Sequence, residues 1–183
     1  MDHTISSKIY SEAIELYHAA YIGEKKNGII TLLHTSEEYT IVASGRYSSS
    51  PDNIWVFPLG GEKTSREFFK HIPPTPGEIE YAINFIEDEI IPIKKFLPMD
   101  SNLLTVSPVI RGIALQSDKV PASENIVLSI KEVEDVFSRL ALIISGRPYS
   151  TDTLPESSSF AASLLILREF MHHWGFQIIH IKK

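Results

Sequence analysis

Residues 29–57 read IITLLHTSEEYTIVASGRYSSSPDNIWVF. Three short runs in this stretch, at 29–34, 39–44 and 54–57, are rich in the β-branched and aromatic residues that favour β-strands. The segments between the runs are short and contain turn-forming residues, whereas a parallel neighbour would need a crossover of a dozen or more residues. The stretch therefore predicts an antiparallel meander of three strands.

Helical patterns lie on both sides of the meander. Apolar residues recur at helical spacing over 4–21, which predicts an N-terminal helix, and a short helix is expected over 64–71. Two capping boxes, Thr75–Glu78 and Ser129–Glu132, predict the first turns of two longer helices. A further helix is expected over 159–174, ending at Gly175.

Extended segments between these helices complete the expected sheet. Residues 103–115 are expected to be extended, 117–125 to form a loop, and 176–182 to form a closing strand. We expect a single domain, 1–183, of the α/β or α+β class. Its mixed, partly antiparallel sheet of about five strands would be covered by three or four packed helices.

Two further expectations concern topology and flexibility. An RNase H-like topology is the alternative fold, but without its catalytic carboxylates, because the run at 29–34 contains no acidic residue. Residues 148–159 are rich in serine, threonine and proline, so they predict a mobile loop.

The charge balance restricts the possible partners. Seventeen Lys and Arg residues against 23 Asp and Glu residues give a net charge of −6, which argues against binding to nucleic acid or to anionic membranes. The chain has no cysteine, so disulfides, thiol nucleophiles and cysteine-based metal clusters are excluded. Because neither a signal peptide nor a spanning segment is found, we expect a cytoplasmic protein. We also expect no cofactor.

Common catalytic and metal-binding motifs are absent or broken. The segment 60–65 follows a strand and precedes a helix, but Glu62 occupies the place of a phosphate-loop glycine. The seven histidines show no HExxH-like spacing, and adjacent His172 and His173 should point about 100° apart on a helix. A site built from His34 and His180 would need neighbouring strands. We therefore expect no metal site.

Weak candidates for ligand binding remain. Arg46, Arg111 and Arg147 lie at predicted element ends or beside glycine, where a guanidinium group is able to bind a phosphate or a carboxylate. A pocket could gather these arginines with His71 and Glu80 from different elements. Glu80 alternatively belongs to a solvated helix face that also carries Glu87.

The predicted helix over 159–174 is apolar on nearly all sides, so it must be covered on nearly all sides. Burial inside the fold would achieve this, and so would a twofold interface between copies of the chain. The interface candidates are Leu165, Ile166, Phe170 and Trp174.

Two functional hypotheses follow. The main one is a non-catalytic, self-associating or protein-binding domain, active as a homodimer or with a protein partner, because the tested catalytic spacings are missing. The alternative is a small enzyme or ligand-binding domain that acts on an anionic small molecule bearing a phosphate or a carboxylate.

Overall fold

The computed structural model describes residues 6–22, 28–46, 50–98, 100–117 and 125–183. Its strands are β1 (Ile30–Thr35), β2 (Thr40–Gly45), β3 (Asn53–Phe57), β4 (Asn102–Thr105), β5 (Ile126–Ser129) and β6 (Ile178–Ile181). Its α-helices are α1 (Ser7–Tyr21), α2 (Gly61–Phe68), α3 (Pro76–Ile90), α4 (Pro108–Ala114), α5 (Ile130–Ile144) and α6 (Ser158–Trp174). Short 3-10 helices span Ile91–Phe96 and Tyr149–Thr151.

The strands form one mixed sheet in the order β3-β2-β1-β4-β6-β5. The first three strands pair antiparallel, β4 is parallel to both β1 and β6, and β5 pairs antiparallel with β6. At the centre of the sheet, the pairing register places Leu32 of β1 opposite Ala43 of β2 and Leu104 of β4. The meander and the mixed α/β fold class are therefore confirmed, and the RNase H-like alternative is compatible with this order.

Helices cover both faces of the sheet. On one face, Tyr17 and Ala20 of α1 pack against Leu32 and Leu104. On the other face, the main core contains α6, which also packs against α2, α3, α4 and α5. Because α6 is surrounded in this way, its apolar residues are used inside the chain.

This packing corrects the expected interface on α6. Leu165 and Ile166 are fully buried within the single chain, Phe170 is 1% exposed and Trp174 is 7% exposed. Burial of such a side chain contributes about 1.5–3 kcal/mol to folding, so these residues stabilise the fold and cannot also form an exposed surface. A homodimer or a protein partner stays a prediction, but these four residues cannot form the contact surface for it.

Local signals explain where several helices begin. Both predicted capping boxes are present, with Thr75 and Ser129 as the N-caps of α3 and α5. The expected extended segment over 103–115 is partly wrong, because only β4 is a strand there. Ser107 caps α4 and Pro108 occupies its first turn, where the missing amide costs nothing. A proline that suggests a broken strand thus begins a helix.

Other boundaries differ from the sequence-based expectations. The short helix expected over 64–71 begins three residues earlier and ends at Phe68. Strand β5 was not predicted, and most of the expected loop over 117–125 lies outside the described residues. The first two residues of the predicted helix 4–21 also lie outside them. No helix among the described residues is long and apolar enough to cross a membrane.

The segment 148–159 is attached to the rest of the fold. Asp152 accepts hydrogen bonds from the Arg139 guanidinium, with an Arg139 Nη2 to Asp152 Oδ1 distance of 2.5 Å. Leu154 is only 5% exposed, and Ser158 already belongs to α6. These contacts attach the segment to α5 and to the core, and its mobility stays a prediction.

A steric prediction follows from Gly60, which lies directly against the β1–β2 turn. A Cβ atom at Gly60 would lie 2.3 Å from the Glu37 carbonyl oxygen, whereas a Cβ atom at Gly77 would meet no heavy atom within 4 Å. We expect Gly60→Ala to lower the free energy of unfolding by about 1–3 kcal/mol. The control Gly77→Ala, inside α3, should raise it by up to about 1 kcal/mol. Urea unfolding checks both values, and equal stability of Gly60→Ala and wild type would contradict this contact.

A second prediction concerns acid stability. Burial acts to raise the pKa of the Glu78 carboxyl, but hydrogen bonds from the Thr75 amide, the His71 ring and the Lys70 amide outweigh it and lower the pKa to about 2. A carboxylate with a depressed pKa stabilises the fold above its unfolded pKa, and this stabilisation is lost as the pH falls.

The test of this second prediction compares Glu78→Gln with wild type across a pH series of urea unfolding. The variant should be less stable above about pH 5, because it lacks the charged form, and the difference should vanish near pH 2. Glu80→Gln, which removes an exposed carboxylate of the same helix, is the control and should follow the wild type. A constant difference between Glu78→Gln and wild type at every pH would contradict the assignment.

Candidate functional site

The most favourable place for a ligand is set by the order of the strands. The chain runs outward from β1 through β2 and β3, then crosses back to β4 on the other side of β1. Because β1 and β4 are parallel, their carboxyl ends meet at one edge of the sheet. Open α/β sheets bind ligands outside the carboxyl ends of strands, at the point where the strand order reverses.

A cleft lies at this edge, and we call it the strand-end cleft. Its volume is about 330 Å³. The lining residues come from the β1–β2 turn, the first turn of α2, helix α4 with its following turn, the segment before α6, and the first turns of α6. They are Ser36, Glu37, Gly61, Glu62, Pro108, Val109, Gly112, Gln116, Pro155, Ser159, Phe160 and Ser163.

Hydrogen bonds hold the two strand ends together beneath the cleft. The buried Ser107 hydroxyl donates to the Thr35 carbonyl at the end of β1, with an O–O distance of 2.6 Å. The Ser107 amide donates to the Thr105 hydroxyl at the end of β4, at 3.0 Å. Ser107 also caps α4, so one residue joins both strands and the helix that forms a wall of the cleft.

The amino end of α2 is occupied by the chain itself. The Gly61 amide donates to the Ser36 carbonyl at 3.1 Å, and the amides of Glu62 and Lys63 both donate to the Glu37 carbonyl at 3.0 Å. A phosphate-binding loop needs such amides free to surround the phosphate. The Gly60–Ser65 segment is therefore a packed junction between the β1–β2 turn and α2.

The amino end of α6 contributes to the cleft in a different way. Ser157 caps this 17-residue helix by accepting a hydrogen bond from the Phe160 amide at 3.2 Å. Ser159 and Ser163, one turn apart, both line the cleft. The amino end of a helix carries partial positive charge, which stabilises a nearby anion.

Formal charges in the cleft are negative. Glu37 is exposed and Glu62 is half-buried, and the described lining includes no lysine or arginine. An anion that enters alone would be repelled by these two carboxylates. The cleft therefore combines hydroxyl groups and a positive helix end with a pair of acidic side chains.

The five ligand candidates from the sequence lie on separate elements. Arg46 follows β2, Arg111 lies on α4 and Arg147 follows α5, whereas His71 precedes α3 and Glu80 is exposed on α3. In the part of the chain that the structure describes, none of them lines the strand-end cleft. Their assembly in one pocket is not observed, and their roles in ligand binding stay predictions.

His71 and Arg147 are held by contacts within the fold. The His71 ring contacts the Glu78 carboxylate at 2.9 Å. Arg147 donates to the Thr151 hydroxyl at 3.0 Å, and its Nη1 lies 3.6 Å from Asp152. The hydrogen bond from Arg139 lowers the pKa of the Asp152 carboxyl, against the effect of burial.

The network around Asp152 reaches the cleft. Arg139 also donates to the carbonyl of Gln116, at 2.5 Å, and Gln116 is a lining residue. The network therefore positions one wall of the cleft.

From the sequence, only Gly61 and Glu62 of the cleft lining were considered, as part of the broken phosphate loop, and the other lining residues were missed. The histidines that were considered together lie on separated strands. His34 lies on β1 and His180 on β6, with β4 between these strands. The residues of the cleft follow strands or begin helices, as Ser36 and Ser159 do. Their common signal is position at strand ends and helix starts, which becomes visible only once the strand order is known.

Comparisons with known proteins concern the whole fold. No family profile matches the sequence, and no curated protein matches it. The structure of the Aquifex aeolicus Ppx/GppA phosphatase, type II variant, is 16% identical and has a TM-score of 0.78, covering 95% of this chain and 59% of that chain. An exopolyphosphatase from Cytophaga hutchinsonii is 12% identical with a TM-score of 0.73, covering 95% and 60%.

These structures overturn the main functional hypothesis. A non-catalytic self-associating or protein-binding domain is the wrong prediction, because the structural neighbours are phosphatases and exopolyphosphatases. They agree better with the alternative hypothesis of an enzyme or ligand-binding domain for a phosphate-bearing molecule. The chain spans about three fifths of the length of these neighbours, and over nearly its whole length it shares the mixed α/β fold of the Ppx/GppA phosphatases.

Proposed function

We propose that this chain binds a phosphate-bearing substrate in the strand-end cleft, as part of an enzyme that acts on phosphate compounds. The observation that carries the proposal is the position of the cleft at the carboxyl ends of β1 and β4, where the strand order reverses. The likeness of the fold to phosphatases supports the class of substrate.

Donor groups for the phosphate come from the first turns of α6. The hydroxyls of Ser159 and Ser163 line the cleft, and the positive end of α6 favours negative charge beside them. The side-chain amide of Gln116 supplies a further donor from the opposite wall. Val109 and Phe160 give the cleft apolar walls that a nonpolar part of the substrate would contact.

The two carboxylates determine the form in which the phosphate binds. Glu37 and Glu62 oppose a bare anion, but carboxylates together with substrate phosphates are the usual ligands of Mg²⁺. We therefore expect the substrate to enter as a complex with Mg²⁺, which Glu37 and Glu62 would hold. The cation would neutralise charge on the phosphate oxygens and favour attack on phosphorus.

The test uses inorganic pyrophosphate and tripolyphosphate as probes, with calorimetry in Mg²⁺ and in EDTA. Gly112 lines the cleft and has no heavy atom within 4 Å of a Cβ atom placed on it. Gly112→Leu would place a larger side chain at this open position of the cleft wall, so we expect it to weaken probe binding at least about tenfold, or 1.4 kcal/mol. Gly77→Leu, at an equally open position of α3, is the matched control and should bind as the wild type does.

Release of phosphate from the same probes measures turnover, and Ser159→Ala with Ser163→Ala should reduce it. Binding that persists in EDTA with equal affinity would contradict the role given to Glu37 and Glu62. Equal binding by wild type and Gly112→Leu would place the ligand elsewhere, and no binding of either probe would overturn the proposed substrate class.

A further inference from the structure

A second polar cluster lies between α3 and α6, and we call it the α3–α6 cluster. It consists of Glu87, Glu169 and His173, whose ligand atoms all lie within 4.8 Å of one another. The His173 Nε2 atom is 2.8 Å from Glu87 Oε1 and 3.2 Å from Glu169 Oε2. Glu169 and His173 are four residues apart on α6, so one face of that helix presents both side chains toward α3.

The cluster has more hydrogen-bond acceptors than donors. Two carboxylate oxygens face the same ring nitrogen, so His173 Nε2 must carry a hydrogen, because a bare lone pair would face oxygen lone pairs. A single N–H then has to serve both Glu87 and Glu169. Two carboxylate oxygens and one imidazole nitrogen, all able to bind a metal, thus surround a position that holds a single hydrogen atom.

Negative side chains outnumber positive ones around the cluster. The Glu169 side chain is 2% exposed, and its second carboxylate oxygen pairs with the Arg168 guanidinium. Arg168 is shared with Glu134, with an Arg168 Nε to Glu134 Oε2 distance of 3.0 Å. Counted together with Glu87, which contacts His173, the three carboxylates carry three negative charges against the single positive charge of Arg168. Only Glu169 among them is buried, and a buried carboxylate is stable only when its charge is compensated.

We propose that Glu87, Glu169 and His173 bind a divalent transition-metal ion of the Zn²⁺ type, which takes the place of the hydrogen on His173 Nε2. One imidazole nitrogen and two carboxylate oxygens are ordinary Zn²⁺ ligands at about 2.0–2.2 Å. Bonds of that length hold tetrahedral ligand atoms roughly 3.3 Å apart, close to the 2.8 Å and 3.2 Å that separate His173 Nε2 from the Glu87 and Glu169 oxygens. The two positive charges of the ion would offset the excess of two negative charges among the three carboxylates and Arg168.

The geometry leaves one coordination position open to solvent. His173 and Glu87 have side chains that are 24% and 31% exposed, so a water or another small ligand is able to reach the ion. The helices are already fixed beside the cluster, because the Trp174 indole donates to the Ile90 carbonyl at 3.0 Å. The bound ion would therefore crosslink α3 to α6 and stabilise the fold, contrary to the sequence-based expectation that no metal is bound.

The α3–α6 cluster is separate from the strand-end cleft. His173 lies ten residues beyond Ser163 on the same helix, a distance of about 15 Å at the rise of an α-helix. The proposal therefore does not depend on the proposed phosphate function, and it is tested without a phosphate ligand.

The experiment titrates the full chain with Co²⁺, whose visible absorption reports coordination, and then displaces Co²⁺ with Zn²⁺. We expect saturable one-to-one binding in the wild type. His173→Asn and Glu87→Gln each remove one ligand and should weaken binding at least about tenfold. His172→Asn is the matched control, because His172 is the adjacent but exposed histidine, and it should bind as the wild type does.

A second readout is thermal unfolding in the presence of Zn²⁺. Wild type and His172→Asn should gain stability by mass action, whereas His173→Asn should not. Circular dichroism in EDTA should show that the variants are folded, since both replaced side chains are partly exposed. Absence of one-to-one binding, or equal Co²⁺ affinity of wild type and His173→Asn, would overturn the proposal.

Discussion

Burial of α6 is the interaction on which the rest of the structure depends. The helix packs against four other helices and contributes to the main core on one face of the sheet. A helix that is apolar on nearly all sides must be covered on nearly all sides, and in this chain the other helices and the sheet provide that cover. The position of α6 then determines where its amino end and its few polar side chains lie.

Much of the fold follows from local patterns, and much of the site does not. Alternating β-branched runs predict the meander, and the capping boxes at Thr75 and Ser129 predict two helix starts, because these signals act over three or four residues. Strand β5 was missed because its last residue, Ser129, is also the N-cap of α5, so no turn separates the strand from the helix. Helix α4 was missed because Pro108 fits both a broken strand and a first helical turn. The strand-end cleft needs the strand order, which no local pattern contains.

The α3–α6 cluster shows the same limit for a polar site. Glu169 interrupts an apolar helix, and it lies four residues before His173, so the pair was visible in the sequence as a shared helix face. Glu87, in contrast, is separated from them by more than eighty residues and belongs to a helix face that otherwise reads as solvated. Only the packing of α3 on α6 distinguishes Glu87 from exposed Glu80.

The place of β6 in the sheet affects how the protein is made. This strand follows every other described strand in the sequence, yet it lies inside the sheet between β4 and β5. During synthesis, β5 therefore has no partner until β6 has left the ribosome, and its unpaired edge is exposed in the meantime. The sheet therefore closes only after α5 and α6, which separate β5 from β6 in the sequence, have been synthesised.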